Sequence, residues 1–167
     1  MGTEEILARV RYMVKALDCK WVFLDHLSIL VSGLAGMDER KNIDVLMTKL
    51  RSLVEETNCA LILVSHLRRA AGDSGHEDGR EVSLSHLRGS QSIAQLSDTV
   101  IAMERDQQSD DPNTANTTTI RVLKNRYAGE TGIACHLFFN KDTGRLHEVS
   151  NLGDDLEEGD DDNDIPF

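Results

Sequence analysis

Apolar residues recur at Ile6, Val10, Met13 and Leu17, with Leu7 and Val14 alongside. That 3.6-residue period predicts an amphipathic helix over residues 4–17. Trp21-Val22-Phe23-Leu24 follows as an unbroken apolar run before Asp25-His26, the pattern of a strand buried on both faces, as in parallel sheets. The helical period returns over residues 38–57 at Ile43, Leu46, Met47, Leu50, Leu53 and Val54. Asp38 is placed as its N-cap and Asn58 as its C-terminal stop. Ala60-Leu61-Ile62-Leu63-Val64 predicts a second buried strand ending in Ser65-His66. Two such strands joined by a helix predict a right-handed βαβ crossover.

Residues 69–81 are rich in Gly and charge, without a period, and read as a mobile loop. A short helix at Ile93–Leu96 then leads to a strand at Thr99–Met103, and Gln107–Asn116, with Pro112, has turn composition. Strands at 117–125, 134–139 and 145–149 are expected as antiparallel additions at a sheet edge. The predicted class is α/β: a mainly parallel sheet flanked by helices, with antiparallel edge strands. One domain over residues 1–149 carries this pattern, and residues 150–167 form a tail that composition marks as disordered.

The 167 residues suffice for one domain with a real core, and 40% are hydrophobic. No apolar run approaches the roughly 18 residues of a membrane span, and the start carries no secretory signal pattern. Three cysteines, Cys19, Cys59 and Cys135, lack metal-ligand spacing and fit a reducing cytoplasm. The formal charge of −11 is uneven: Gly153–Phe167 holds eight acids and no base, so the body carries −11 + 8 = −3. A body so near neutral accommodates a local basic surface, and total charge therefore does not exclude nucleic acid.

Three places carry chemistry. Asp25 ends an apolar strand, which puts a carboxylate at the carboxyl edge of a parallel sheet, where α/β folds bind ligands. An Asp there can hold magnesium and its water shell beside nucleotide phosphates, although apolar strands end in Asp often. Ser65-His66 occupies the same position on the next strand. A polar group there can sense a terminal phosphate and relay it to the adjoining loop with Arg68, Arg69 and Arg80; a hydrogen-bonded strand-end histidine is the bland alternative. Lys124 and Arg126, two apart on a strand, project together, and Gly129 and Gly132 allow a tight turn after them. Such cations can reach a neighbouring subunit's phosphate, or simply protect an edge strand from aggregation.

Assembled, the order of Phe23-Leu24-Asp25-His26, Ser65-His66-Leu67, Leu87-Arg88-Gly89-Ser90 with Gln95-Leu96-Ser97-Asp98, and Lys124-Asn125-Arg126-Tyr127-Ala128-Gly129-Glu130-Thr131-Gly132 closely resembles the DnaB-type replicative helicases. The nearest likeness is to the fused primase-helicases of podoviruses, over roughly residues 4–149. The resemblance implies a partial RecA-like core in a hexameric ring that moves 5′ to 3′ on single-stranded DNA, using Mg2+ and ATP or dTTP. It assigns Asp25 to the Walker B position, with indirect contact to Mg2+, and His66 to nucleotide sensing. Gln95 lies near nucleotide and DNA, and Arg126 becomes the arginine finger with Lys124 as companion. Arg88 and Gly89 fall in the channel-lining segment, while Arg68, Arg69 and Arg80 face the DNA backbone, where cations bind without regard to sequence.

No phosphate loop of the form Gly-x-x-x-x-Gly-Lys-Ser/Thr is present, since none of the twelve glycines precedes a Lys. By the same resemblance, the catalytic glutamate and first sheet strands lie upstream of this chain. The expectation is no ATP turnover by the chain alone, with a P-loop-bearing portion supplied by another polypeptide, or a truncated reading frame. The acidic tail closes on Ile165-Pro166-Phe167, resembling the terminal peptide of bacterial single-stranded-DNA-binding proteins. Phe167 offers an apolar anchor, its α-carboxylate a charge, and the Asp run steers toward a basic pocket, so docking on a DNA polymerase is expected. Competing readings are a RecA-type recombinase or clock-type ATPase fragment, and a non-catalytic adaptor for a polymerase.

Overall fold

A computed structural model describes residues 3–32, 39–68, 75–76, 78–87 and 91–150. The apolar period along α1 (Thr3–Leu17) buries Ile6, Leu7 and Val10. Along α3 (Glu39–Thr57) it buries Ile43, Leu46, Met47, Leu50 and Leu53 in one stripe. Both stripes join one core with Val22 of β1 (Trp21–Leu24), with Leu61 and Leu63 of β2 (Ala60–Leu63) packed against it. Each fully buried leucine contributes on the order of 2 kcal/mol to this core.

Both helices end on a residue with left-handed backbone, Asp18 at φ 56° and Asn58 at φ 55°. Asp and Asn tolerate that conformation because their short polar side chains bond locally. The chain then turns into β1 or β2, and the two strands pair in parallel from Trp21↔Ala60 to Leu24↔Leu63. The expected βαβ crossover is therefore present, and Asn58 acts as the expected stop. Asp38 lies outside the described residues.

A short helix, α2 (Leu27–Ser32), follows β1 where no element was expected. Leu27, Leu30 and Val31 are buried on one side, while Ile29 on the other is 60% exposed. The remaining elements are α4 (Gln91–Leu96), β3 (Thr99–Glu104), α5 (Pro112–Asn116), β4 (Thr117–Asn125), β5 (Gly132–Asn140) and β6 (Arg145–Val149). The turn composition before β4 thus includes one helical turn, started by Asp111, whose side chain accepts from the Asn113 and Thr114 amides. Proline suits the first position of such a helix.

The sheet departs from expectation in two ways. Among the described strands only β1 and β2 are parallel, while β3-β4-β5-β6 form a separate antiparallel sheet in sequence order. The expected mainly parallel sheet is therefore corrected to a mixed α/β arrangement of two sheets. Connection length accounts for part of this: α2 and α3 separate β1 from β2, whereas short turns join β4 to β5 and β5 to β6, and such turns permit antiparallel pairing alone. Second, β1 is buried on one face only. Val22 is buried, but Trp21 and Phe23 on the opposite face are 68% and 69% exposed. Beside the edge of β2 that has no partner strand among the described residues runs a groove of about 780 Å³ lined by all four β2 residues. Consecutive rather than alternate residues line it, so it follows the strand's edge. Its wall is mixed, with Met47, Leu50, Val54 and Ile101 beside the charged Arg51, Glu55 and Asp98. No described helix is long and apolar enough to cross a membrane.

Candidate functional site

Parallel pairing brings the carboxyl ends of β1 and β2 level. The Val64 amide donates to the Leu24 carbonyl at 2.9 Å, and the Leu27 amide to the Val64 carbonyl at 2.9 Å. These bonds hold the chain immediately past both strands. Asp25 is exposed there, and the Asp25-His26 peptide bond is cis. The His26 and His66 rings meet with centroids 4.1 Å apart, tilted by 43°. The Asp25-His26 pair and His66 thus share one rim, as the order of apolar runs predicted. The contact between the two rings had no signal in the sequence.

Beyond His66 the chain is tied down. Leu67 bridges Leu87, and the Arg68 amide donates to the His86 carbonyl at 2.8 Å. The segments carrying Arg68 and leading to Arg88 are therefore rooted side by side. Arg68 and Arg80 are exposed; Arg69, Arg88 and Gly89 lie outside the described residues, as do Ile165, Pro166 and Phe167. Within the described part of the expected loop Asp78 bridges Asp106, and just past it the Val82 amide donates to Glu104 Oε1 at 2.7 Å. Gly79 makes the turn at φ 72°, and a Cβ there would come within 2.8 Å of Asp106. Glu104 is itself buried and accepts from Arg121 Nε at 2.9 and 3.1 Å. The Arg121 guanidinium is held above its ordinary range, chiefly by that hydrogen bond.

The second cluster surrounds the carboxyl end of α4. Lys124 Nζ donates to the carbonyls of Ala94, Gln95 and Ser97 at 2.6, 3.2 and 2.8 Å. An ammonium on the last carbonyls of a helix satisfies orphan acceptors and the dipole together. Lys124 was expected to project toward a neighbouring subunit. Its three bonds instead lie within its own chain, where α4, distant in sequence, meets β4. Arg126 sits one residue past β4 and stays 42% exposed on its side chain, paired with Asp98 Oδ1 at 2.7 Å. Gln95 is exposed, and its carbonyl accepts from Arg126 Nη2 at 2.9 Å. Gly129 and Gly132 have φ of 73° and 126°, backbone that only glycine adopts readily. That fulfils the expected tight turn between β4 and β5.

No group of three or more His, Cys, Asp or Glu side chains among the described residues forms a metal cage. Magnesium needs none, because it takes one or two carboxylates and completes its octahedron with water and substrate phosphates. Asp25, exposed at a strand end, fits that requirement. The three cysteines are free.

The family model described as DnaB-like helicase C terminal domain matches residues 1–148. A DNA helicase/primase of Enterobacteria phage T3 is 45% identical over 150 residues, covering 90% of this chain and 26% of that protein. Among solved structures, one described as a DnaB-like replicative helicase and its interactions with primase superposes with a TM-score of 0.69 at 23% identity. That match covers 87% of this chain and 34% of the other. The chain therefore spans about a quarter to a third of the proteins it matches.

Proposed function

Because this chain belongs to the DnaB-like helicase C-terminal domain family, we propose that it is the carboxy-terminal part of a hexameric, ATP-dependent replicative helicase that unwinds duplex DNA by translocating on one strand. The observation that carries the reading is the shared rim of Asp25 and His66 at the ends of neighbouring parallel strands. In α/β folds, that rim is where nucleotides bind.

Each residue has a task in this reading. Asp25 holds the water shell of Mg2+, which supplies charge neutralisation to the phosphates of ATP or dTTP when bound. His66 contacts the terminal phosphate and passes its presence along the Leu67–Leu87 bridge to the DNA-facing segments. Arg68, Arg69, Arg80, Arg88 and Gly89 meet the single-stranded DNA backbone, and Gln95 lies between nucleotide and DNA. Arg126, left exposed, is the cation available to a neighbouring protomer's nucleotide. Lys124 assists by fixing α4 rather than by reaching across.

A P-loop-bearing portion of the helicase completes the site. The groove along β2 supports this, since a strand edge unpaired among the described residues, with Met47, Leu50, Val54 and Ile101 in its wall, suits addition of a strand. We also assign the tail, through Ile165, Pro166 and Phe167, to docking on a DNA polymerase. The chain alone is expected to show no ATP turnover. Mixing it with the unmatched portion of the T3 helicase/primase, supplied as a separate polypeptide, should restore DNA-stimulated hydrolysis. Turnover by the chain alone would overturn the division of labour; no hydrolysis from the mixture would favour a polymerase-docking adaptor.

A further inference from the structure

Arg126 is not a loose surface side chain. Its Nη1 donates to Asp98 Oδ1 at 2.7 Å, its Nη2 to the Gln95 carbonyl at 2.9 Å, and its amide to the Asp98 carbonyl at 2.9 Å. Asp98 is held in turn: its Oδ2 accepts from Arg51 Nη1 at 2.8 Å. Arg51 Nε donates to Glu55 at 2.7 Å, one turn further along α3. The Arg51 guanidinium is kept above its ordinary range by Glu55 first and Asp98 second. A continuous chain of charge-assisted bonds thus runs from a rigid helix of the core to the cation at the end of β4.

The geometry leaves this cation usable. A guanidinium presents five N–H donors in a fixed plane, and the two side-chain bonds consume two of them. Nε–H and one hydrogen on each Nη remain for a second anion. Charge also remains: Arg51, Lys124 and Arg126 against Glu55 and Asp98 leave one net positive charge in the cluster. Holding the plane in advance removes the rotamer freedom that binding would otherwise have to quench.

We propose that Asp98, anchored by Arg51, is a positioning residue that pre-aims the Arg126 guanidinium at the terminal phosphate of a nucleoside triphosphate held by a neighbouring protomer. This rests on the reading of Arg126 given above and adds to it a brace within the same chain. Asp98 never touches the nucleotide. It acts only through Arg126, and its loss should lower the rate of the bound state more than the affinity for nucleotide.

Two measurements test the brace, one of them independent of turnover. In the full chain, side-chain 15N spectra should show slowed rotation about the Arg126 Cζ–Nε bond, with Arg126→Lys identifying the signal. In Asp98→Ala that rotation should become fast. A freely rotating Arg126 in the unsubstituted chain overturns the proposal outright. In the mixture with the unmatched portion of the T3 helicase/primase, Asp98→Ala should lower kcat about tenfold with KM for ATP within about twofold. Asp98→Asn, isosteric with the native side chain, should fall between. Arg126→Ala should cost on the order of 10³-fold, as loss of an arginine finger does. Unchanged kcat in Asp98→Asn and Asp98→Ala, with Arg126→Ala inactive, would discard the brace and keep the finger. An active Arg126→Ala would discard the finger itself.

Discussion

Glu104 offers the sharpest test of how residues 78–87 are held. Its carboxylate is buried on β3, accepts two bonds from Arg121 Nε, and receives the Val82 amide. Replacing it with Ala strands a guanidinium that is only 18% exposed, and leaves the Val82 amide without its acceptor. Breaking a buried ion pair from one side costs about 3–5 kcal/mol, because the remaining charge stays desolvated. Arg121 keeps a second carboxylate, Glu81 at 3.2 Å, but that group is largely exposed. The lower end applies, about 3 kcal/mol. With a urea m-value of about 2 kcal/mol/M, the unfolding midpoint should fall by about 1.5 M. Glu104→Leu with Arg121→Met removes both charges and leaves chiefly the lost amide bond, worth about 1 kcal/mol. The double variant should therefore be more stable than Glu104→Ala alone. Limited proteolysis should cut residues 78–87 faster in the single variant, because the Val82 tether is gone. A midpoint shift below about 0.3 M, equivalent to about 0.5 kcal/mol, would refute this account. So would a double variant weaker than the single.

Two further outcomes are expected. The Asp111 carboxyl is held below its usual range, chiefly by the Thr114 hydroxyl and then by the Thr114 and Asn113 amides. Its contribution is therefore complete above the unfolded pKa near 3.9, and fades as pH falls through the lower folded value. In urea titrations across pH, Asp111→Ala should be the less stable form at pH 7, and the two curves should merge in acid; a constant gap would contradict the cap. Deleting Phe167 should weaken binding to the DNA polymerase of the replication system by at least tenfold in a salt-dependent titration, and unchanged affinity would end the docking assignment.

What the sequence made legible is what local pattern can carry. The repeats in α1 and α3 and the runs in β1 and β2 located the crossover, and with it the rim shared by Asp25, His26 and His66. The strand ends were predictable because a helical connection long enough for a crossover joins the two strands. Burial on the second face of β1 was not, because Trp21 and Phe23 look the same in a run whether or not a layer lies over them. The bonds of Lys124 to α4 were hidden for a related reason. Two cations at strand spacing say which way side chains point, but not that the carboxyl end of α4, some thirty residues earlier, waits there with open carbonyls. Asp98 stood inside a recognised motif without a role, since its meaning depends on Arg51 in α3. Pairings between distant elements decide these cases, and local periodicity holds no record of them.

The bare face of β1 sets a rule of dosage. Two copies that cover Trp21 and Phe23 with one another do so at a rate rising as the square of their concentration. Capture by a different polypeptide rises only in proportion to this one. Dilution therefore suppresses self-stacking through this face more steeply than it suppresses capture by any other surface, and association through Trp21 and Phe23 should fade first as concentration falls.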